Sequence, residues 1–275
     1  MMASDGVTPD FQRLVYALQP YLPDVVVVGG WAHRLFPRHP LAGTPGFVPL
    51  MTDDADVAVP LRLRRREVTL LDRLEEAGFT EDMKGDDKPP VTHYRLGEGE
   101  FYVEFLAPTT GEGVRRSGQR DATARVQGIV AQKLPHVDVL LIEPWTVTLT
   151  SAGQNAVQVR IPNAVTYLAQ KVLVLPDRER EKQSNDVVYV HDTLMMFADN
   201  LSALGQLWES LKSRLTKKQV RDAGRAITAL FGQVDDRIRR AAIIAKETGR
   251  GSPPSAELIR TRCHDGLKVI FKTAT

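Results

Sequence analysis

The sequence predicts an α+β fold, a mixed β-sheet with helices, followed by a mainly helical C-terminal part. Short β-branched apolar runs set off by Gly and Pro dominate the chain up to Pro162, which is how strands read. From Pro162 onward apolar residues recur mostly at three- and four-residue spacing, the helical period. Charge is also divided: residues 201–275 hold 15 Lys/Arg against 7 Asp/Glu, whereas residues 1–200 hold 21 against 27. The expected domains are residues 1–162 and residues 163–275, each long enough for its own core.

Thr8-Pro9 reads as a helix start, with Phe11, Leu14, Val15 and Leu18 at helical spacing and Pro20 and Pro23 ending the run. Four valines, Val25 to Val28, then predict a short strand buried on both faces. Gly29-Gly30 turns that strand into a helix whose apolar face is Trp31, Ala32, Leu35 and Phe36. Residues 37–49, with four prolines and two glycines, read as a loop. A strand over residues 54–59 follows, then a helix carrying Val68, Leu71, Leu74 and Ala77 and stopped by Gly78. Residues 81–90 read as a loop, residues 91–96 and 100–106 as a hairpin around Gly97-Glu98-Gly99, and residues 109–124 as a further loop with a basic patch at Arg115, Arg116 and Arg120. Residues 137–142, 146–150 and 156–161 read as short strands. Pro162 opens a helix with its apolar stripe at Val165, Leu168, Ala169, Val172 and Leu173, and from Val187 helices run to the end.

Chemistry concentrates at four places. Asp54 and Asp56 are two apart in an apolar run, so on a strand they face one way, with Asp53 facing the other. Like charges that close repel unless a cation offsets them, which makes the pair a candidate metal site rather than a solvated turn. Gly29 and Gly30 permit positive φ and let a ligand approach the main chain, although a plain strand-to-helix turn needs the same residues. Glu104 is a carboxylate inside an otherwise apolar strand, either a site residue or an exposed group on the outer face. On a helical wheel Lys171 falls at the edge away from the apolar stripe, free to reach a ligand or water. Cys263-His264 has no partner motif that would make it a nucleophile.

Gly29-Gly30 with Thr52-Asp53-Asp54-Ala55-Asp56 resembles the G-[GS] … T-x-D-h-D signature of the DNA polymerase β-like nucleotidyltransferase superfamily. Among its branches the chain looks most like the AbiEii-type nucleotidyltransferases, which include toxins of toxin–antitoxin pairs. The resemblance covers roughly residues 25–194. It implies a nucleotidyltransferase-fold sheet, two Mg²⁺ ions held by Asp54, Asp56 and Glu104, and an NTP bound at Gly29, Gly30, Thr52 and Lys171. Residues 167–194 look like the branch's later pattern, with Lys171, Arg178, Lys182 and Asp186 at matching positions. Asp186 would open the next helix and orient Lys171 or the acceptor, or else serve as a helix-terminal charge. The sequence departs from the pattern in its long 37–49 loop, in having Leu50-Met51 where an arginine is common, in Glu rather than Asp at 104, and in Gln183 after Lys182.

The implied reaction moves a nucleoside monophosphate from an NTP to a hydroxyl, with RNA, a tRNA 3′ end, as the expected acceptor and an antitoxin as a further expected partner. An antibiotic-like small molecule as acceptor, or a degenerate nucleotide- or partner-binding module, are the alternatives. A single cysteine excludes an internal disulfide framework and a Cys-based zinc site. No apolar run approaches membrane-spanning length and the first residues lack the apolar core of a signal peptide, so a cytoplasmic location without membrane contact is expected.

Overall fold

The computed structural model describes residues 7–84, 91–109, 121–150, 156–248 and 251–272. It is α+β, with a mixed sheet and a helical C-terminal part. The chain divides into two compact units: residues 1–34 with 51–162, and residues 35–50 with 163–275. The whole 37–49 Pro/Gly loop therefore belongs with the helical unit.

In the first unit α1 (Pro9–Ala17) is capped by Thr8, whose hydroxyl accepts from the Phe11 amide. Strand β1 (Val26–Val28) is buried throughout and runs directly into α2 (Gly29–Leu35). Trp31 of α2 stacks on Phe11 of α1 at 3.8 Å between ring centroids, and the Arg34 guanidinium covers Trp31 at 4.5 Å. This clamp fixes the turn at Gly29-Gly30. Strand β2 (Asp54–Ala58) follows, then α3 (Leu70–Glu76), started by a capping box between Thr69 and Asp72. The remaining strands of the main sheet are β3 (Phe79–Lys84), β4 (Val91–Leu96), β5 (Tyr102–Pro108), β6 (Thr123–Val126) and β7 (Ile129–Leu134). A helical turn α4 (Val137–Leu140) and a separate antiparallel pair, β8 (Trp145–Leu149) and β9 (Val157–Ile161), complete the unit.

The sheet runs β1-β2-β5-β4-β3, with β7 also beside β5 and β6 beside β7. Pairings β2–β5 and β5–β7 are parallel and the rest antiparallel, which makes the sheet mixed. One face is apolar: Ala55, Val57, Tyr94, Val103 and Phe105 are all buried. Each large side chain so removed from water contributes about 1.5–3 kcal/mol. Side chains alternate, so the opposite face of the same strands is free to carry polar groups.

Three expectations fail here. Residues 137–140 form a helical turn, not a strand; short apolar runs do not distinguish the two by pattern, and Val137 and Leu140, three apart, pack together on Val26, Val28, Ala58 and Leu106. The loop expected at 81–90 is strand β3 through Lys84, because Glu81, Asp82 and Met83 pair with Tyr94, His93 and Thr92. The loop expected through 124 gives way to β6 at Thr123, and its basic patch at Arg115, Arg116 and Arg120 lies outside the described residues.

The second unit is helical: α5 (Ala164–Val174), α6 (Arg180–Met196), α7 (Leu201–Leu211), α8 (Lys217–Phe231), α9 (Asp236–Glu247) and α10 (Ala256–Phe271). Phe36 makes edge-on ring contacts with Tyr167 and Phe197, and the Asn200 amide donates to the Leu41 carbonyl, which fastens segment 35–50 to this unit. No described helix is long and apolar enough to cross a membrane.

Candidate active site

The site is built by strand register. Parallel pairing sets Asp54 beside Tyr102 and Asp56 beside Glu104; antiparallel pairing sets His93 beside Glu104 and Arg95 beside Tyr102. Register partners point to one side of a sheet. Asp54, Asp56, Tyr102, Glu104, His93 and Arg95 therefore share the face opposite the apolar core, and all are partly exposed. The three expected carboxylates of this unit are thus brought onto one face. Asp53 is exposed and precedes the strand.

Gly29 lies against the pair. Its φ is +63°, a left-handed conformation that non-glycine residues adopt at a cost, and a Cβ there would collide with Asp56 Oδ2. The pairing of Val28 with Asp56 brings the strand-to-helix turn to that carboxylate. Gly30 has no positive φ. Thr52 donates its hydroxyl to Asp54 Oδ1, which orients that carboxylate.

Sequence reasoning missed His93, Tyr102 and Arg95. His93 Nε2 lies 2.8 Å from Glu104 Oε1, and its ring stacks on Tyr102 at 4.2 Å. Burial, then the carboxylates of Asp54, Glu104 and Asp56, push the Tyr102 phenol up to about 12, against an opposing Arg95. That shift reports the negative field of the face. Arg95 Nε is itself 2.9 Å from Asp82 Oδ2. Hairpin symmetry alone would not have found His93: counting outward from the Gly97-to-Gly99 turn pairs residue 93 with residue 103, and the actual register is one residue further, beside Glu104.

The donors are hard carboxylate oxygens, the ligands that Mg²⁺ takes, and Asp56 Oδ2 lies close against the Gly29 main chain, where only a glycine leaves room for it. In chemistry the residues fit a divalent cation. Among the described residues no three His, Cys, Asp or Glu side chains close into a ready-made metal cage. Asp54 is engaged by Thr52 and Glu104 by His93.

In the helical unit Lys171 is 5% exposed, not free at a helix edge. Its Nζ is 2.5 Å from Asp186 Oδ1 and sits over the rings of Tyr167 at 5.5 Å and Tyr189 at 4.9 Å. Arg178 Nε holds the other Asp186 oxygen at 3.0 Å. The wheel misplaced Lys171 because α5 is buried around most of its circumference. Asp186 lies in the second turn of α6, which starts at Arg180, so it does not open the helix. Cys263 is buried, and burial with Asp192 nearby raises its thiol well above the ordinary value, which is the opposite of an activated nucleophile.

Comparison with known proteins supplies the family. No curated protein and no solved structure matches this chain. A family model described as nucleotidyltransferase matches residues 12–212, spanning Gly29, Asp54, Asp56, Glu104, Lys171 and Asp186. With nearly three quarters of its length inside that match and three carboxylates gathered on one sheet face beside a glycine turn, the chain belongs to the nucleotidyltransferase family and is a nucleotidyltransferase enzyme.

Proposed function

We propose that this nucleotidyltransferase acts on RNA, a tRNA 3′ end, with Mg²⁺ at Asp54, Asp56 and Glu104. We further propose that it is of the AbiEii-like kind, the toxin of a toxin–antitoxin pair acting in the cytoplasm, where NTPs and tRNA are found. The observation that carries the catalytic part is the register that sets Asp54, Asp56 and Glu104 on one face of two adjacent parallel strands. The excess of basic over acidic residues in 201–275 supports a polyanionic acceptor.

In this reading the acceptor hydroxyl gives up its proton to solvent water as its oxygen bonds to the α-phosphorus of the NTP. The bond from that phosphorus to the bridging oxygen breaks, and pyrophosphate leaves with the electron pair. When bound, Mg²⁺ would supply neutralisation of the triphosphate charge. Asp54 and Asp56 would hold it, with Thr52 keeping the Asp54 carboxylate oriented. Glu104, steadied by His93, would add a further carboxylate oxygen. The turn at Gly29 and Gly30 gives phosphate oxygens close access to main-chain N–H groups.

The test incubates purified protein and Mg²⁺ with each α-labelled NTP and total RNA, with Asp54→Ala/Asp56→Ala as control. Label on RNA that disappears in the variant is the expected result. No transfer to RNA, with NTP still bound, would turn the reading towards a small-molecule acceptor such as an antibiotic. Neither transfer nor binding would leave a degenerate binding module.

A further inference from the structure

The family match ends at residue 212, yet the most basic part of the chain follows it. Helix α8 begins there, opened by a capping box between Thr216 and Gln219. Lys217, Arg221 and Arg225 fall at i, i+4 and i+8 and are all exposed, so they form one line along the helix. Successive members are about 6 Å apart along the axis, four residues at the helical rise. That is the scale of the step between neighbouring phosphates on one nucleic-acid strand.

A cleft of about 450 Å³ adjoins this line, lined by Lys212 at the end of α7, Arg221 and Arg225 on α8, and Lys272 just past α10. Glu209 is its one carboxylate, and that is already 2.6 Å from Lys212. Asp222 takes Lys218 at 2.7 Å and touches Arg221 at 3.3 Å, while Lys217 and Arg225 make no ion pair among the described residues. The aromatic pair beneath, Trp208 and Phe271, is in edge-on contact at 4.6 Å and only 3% and 5% exposed. The cleft therefore offers cations without an exposed aromatic anchor of the kind that centres protein interfaces. Guanidinium and ammonium groups spaced along a helix instead suit an anionic backbone contacted through its phosphates.

We infer that the cleft formed by α7, α8 and the end of α10 is a docking site for the sugar–phosphate backbone of RNA. The inference rests on the RNA-acceptor reading above, but it concerns binding and not transfer. Its role is to hold the acceptor through phosphates, without reading sequence.

The experiment follows fluorescence anisotropy of dye-labelled bulk tRNA between about 50 and 200 mM NaCl, without NTP. It compares the intact chain with Lys217→Glu/Arg221→Glu/Arg225→Glu, with the milder Lys217→Gln/Arg221→Gln/Arg225→Gln, and with the charge-matched Arg239→Glu/Arg240→Glu/Lys246→Glu on α9. Circular dichroism melts check each fold. The reversed groove variant is expected to bind about tenfold or more weakly, with a salt slope shallower by about 2. The neutral variant should lie between, and the α9 variant close to the intact chain. Equal losses in groove and α9 variants would show a general field and overturn the site. An unchanged groove variant would overturn it while leaving RNA as the acceptor. Displacement of tRNA by poly-glutamate at equal charge would overturn it in favour of an acidic protein. Undetectable tRNA binding by the intact chain would remove both the acceptor reading and this site. Intact binding without label transfer would fail only the catalytic reading.

Discussion

The sheet face of the first unit and the Lys171–Asp186 pair of the second handle charge in opposite ways. On the sheet, Asp54, Asp56 and Glu104 are gathered with Tyr102 among them, and the phenol is held neutral up to about 12 by burial and their combined field. In the helices, a buried ammonium and a buried carboxylate meet at 2.5 Å, with Arg178 on the second oxygen. The first arrangement is partly exposed and gathers like charges at one sheet face. The second answers its own charge inside the core. Excess charge at a sheet face marks a place for chemistry, whereas a closed buried pair is also a structural element whose loss is felt in folding.

That contrast can be broken by mutation. Asp54→Ala/Asp56→Ala is expected to lower NMP transfer at least about 1000-fold, since metal-held charge stabilisation is worth several kcal/mol. Its thermal midpoint should stay close to that of the intact chain, and a large drop in a thermal melt would show that the carboxylates are structural. Asp186→Ala should do the reverse to stability, costing about 3–5 kcal/mol in urea unfolding because Lys171 is left buried without its partner. Near-normal stability there would mean that Lys171 finds water or another anion.

Two smaller effects sharpen the picture of the sheet face. Gly29→Ala meets both a positive φ and the Asp56 carboxylate, so it is expected to cost about 1–2 kcal/mol and to impair transfer. Gly30→Ala, with no positive φ, should cost less in the same unfolding assay. The weakest effect is titrimetric. The unfolded Tyr102 ionises near its ordinary value of 10.0 and the folded one at about 12, so the folded state keeps the proton more tightly in between. Its contribution is fully present below the unfolded value and is lost as pH rises through the folded one. Glu104→Gln should lower the tyrosinate transition of Tyr102 measured by ultraviolet absorbance, while Tyr94, on the apolar face and also raised to about 12, stays in place.

What could be read from sequence followed the physics of each element. Period-two alternation showed that Asp54 and Asp56 point one way and that Glu104 interrupts an apolar strand. The valine run and Gly-Gly turn marked β1 and α2 for the same local reason. Register between distant strands was not legible, so the neighbourhood of Glu104 with Asp56 and His93 had to come from the folded chain. Burial was illegible wherever an element is covered on most sides: Lys171 looked peripheral on a wheel because the wheel knows nothing of α6 packing over it. Strands β6 and β7 escaped because Gln127 and Gly128, both at positive φ, form a tight turn without a strong apolar alternation around it.

The passage of residues 35–50 into the helical unit has a consequence for dissecting this protein and for how its parts could be exchanged. The backbone passes between units after Arg34, again after Leu50 and finally after Pro162. No single cut separates them. A chain ended at residue 162 would keep Phe36 while discarding Tyr167 and Phe197, and would keep Leu41 without Asn200. The shortened protein would carry a stranded apolar strap in place of a clean terminus and should aggregate. Recombination that swaps the C-terminal helices for those of a relative must carry the 35–50 strap with them, so the two units are expected to be inherited as one piece.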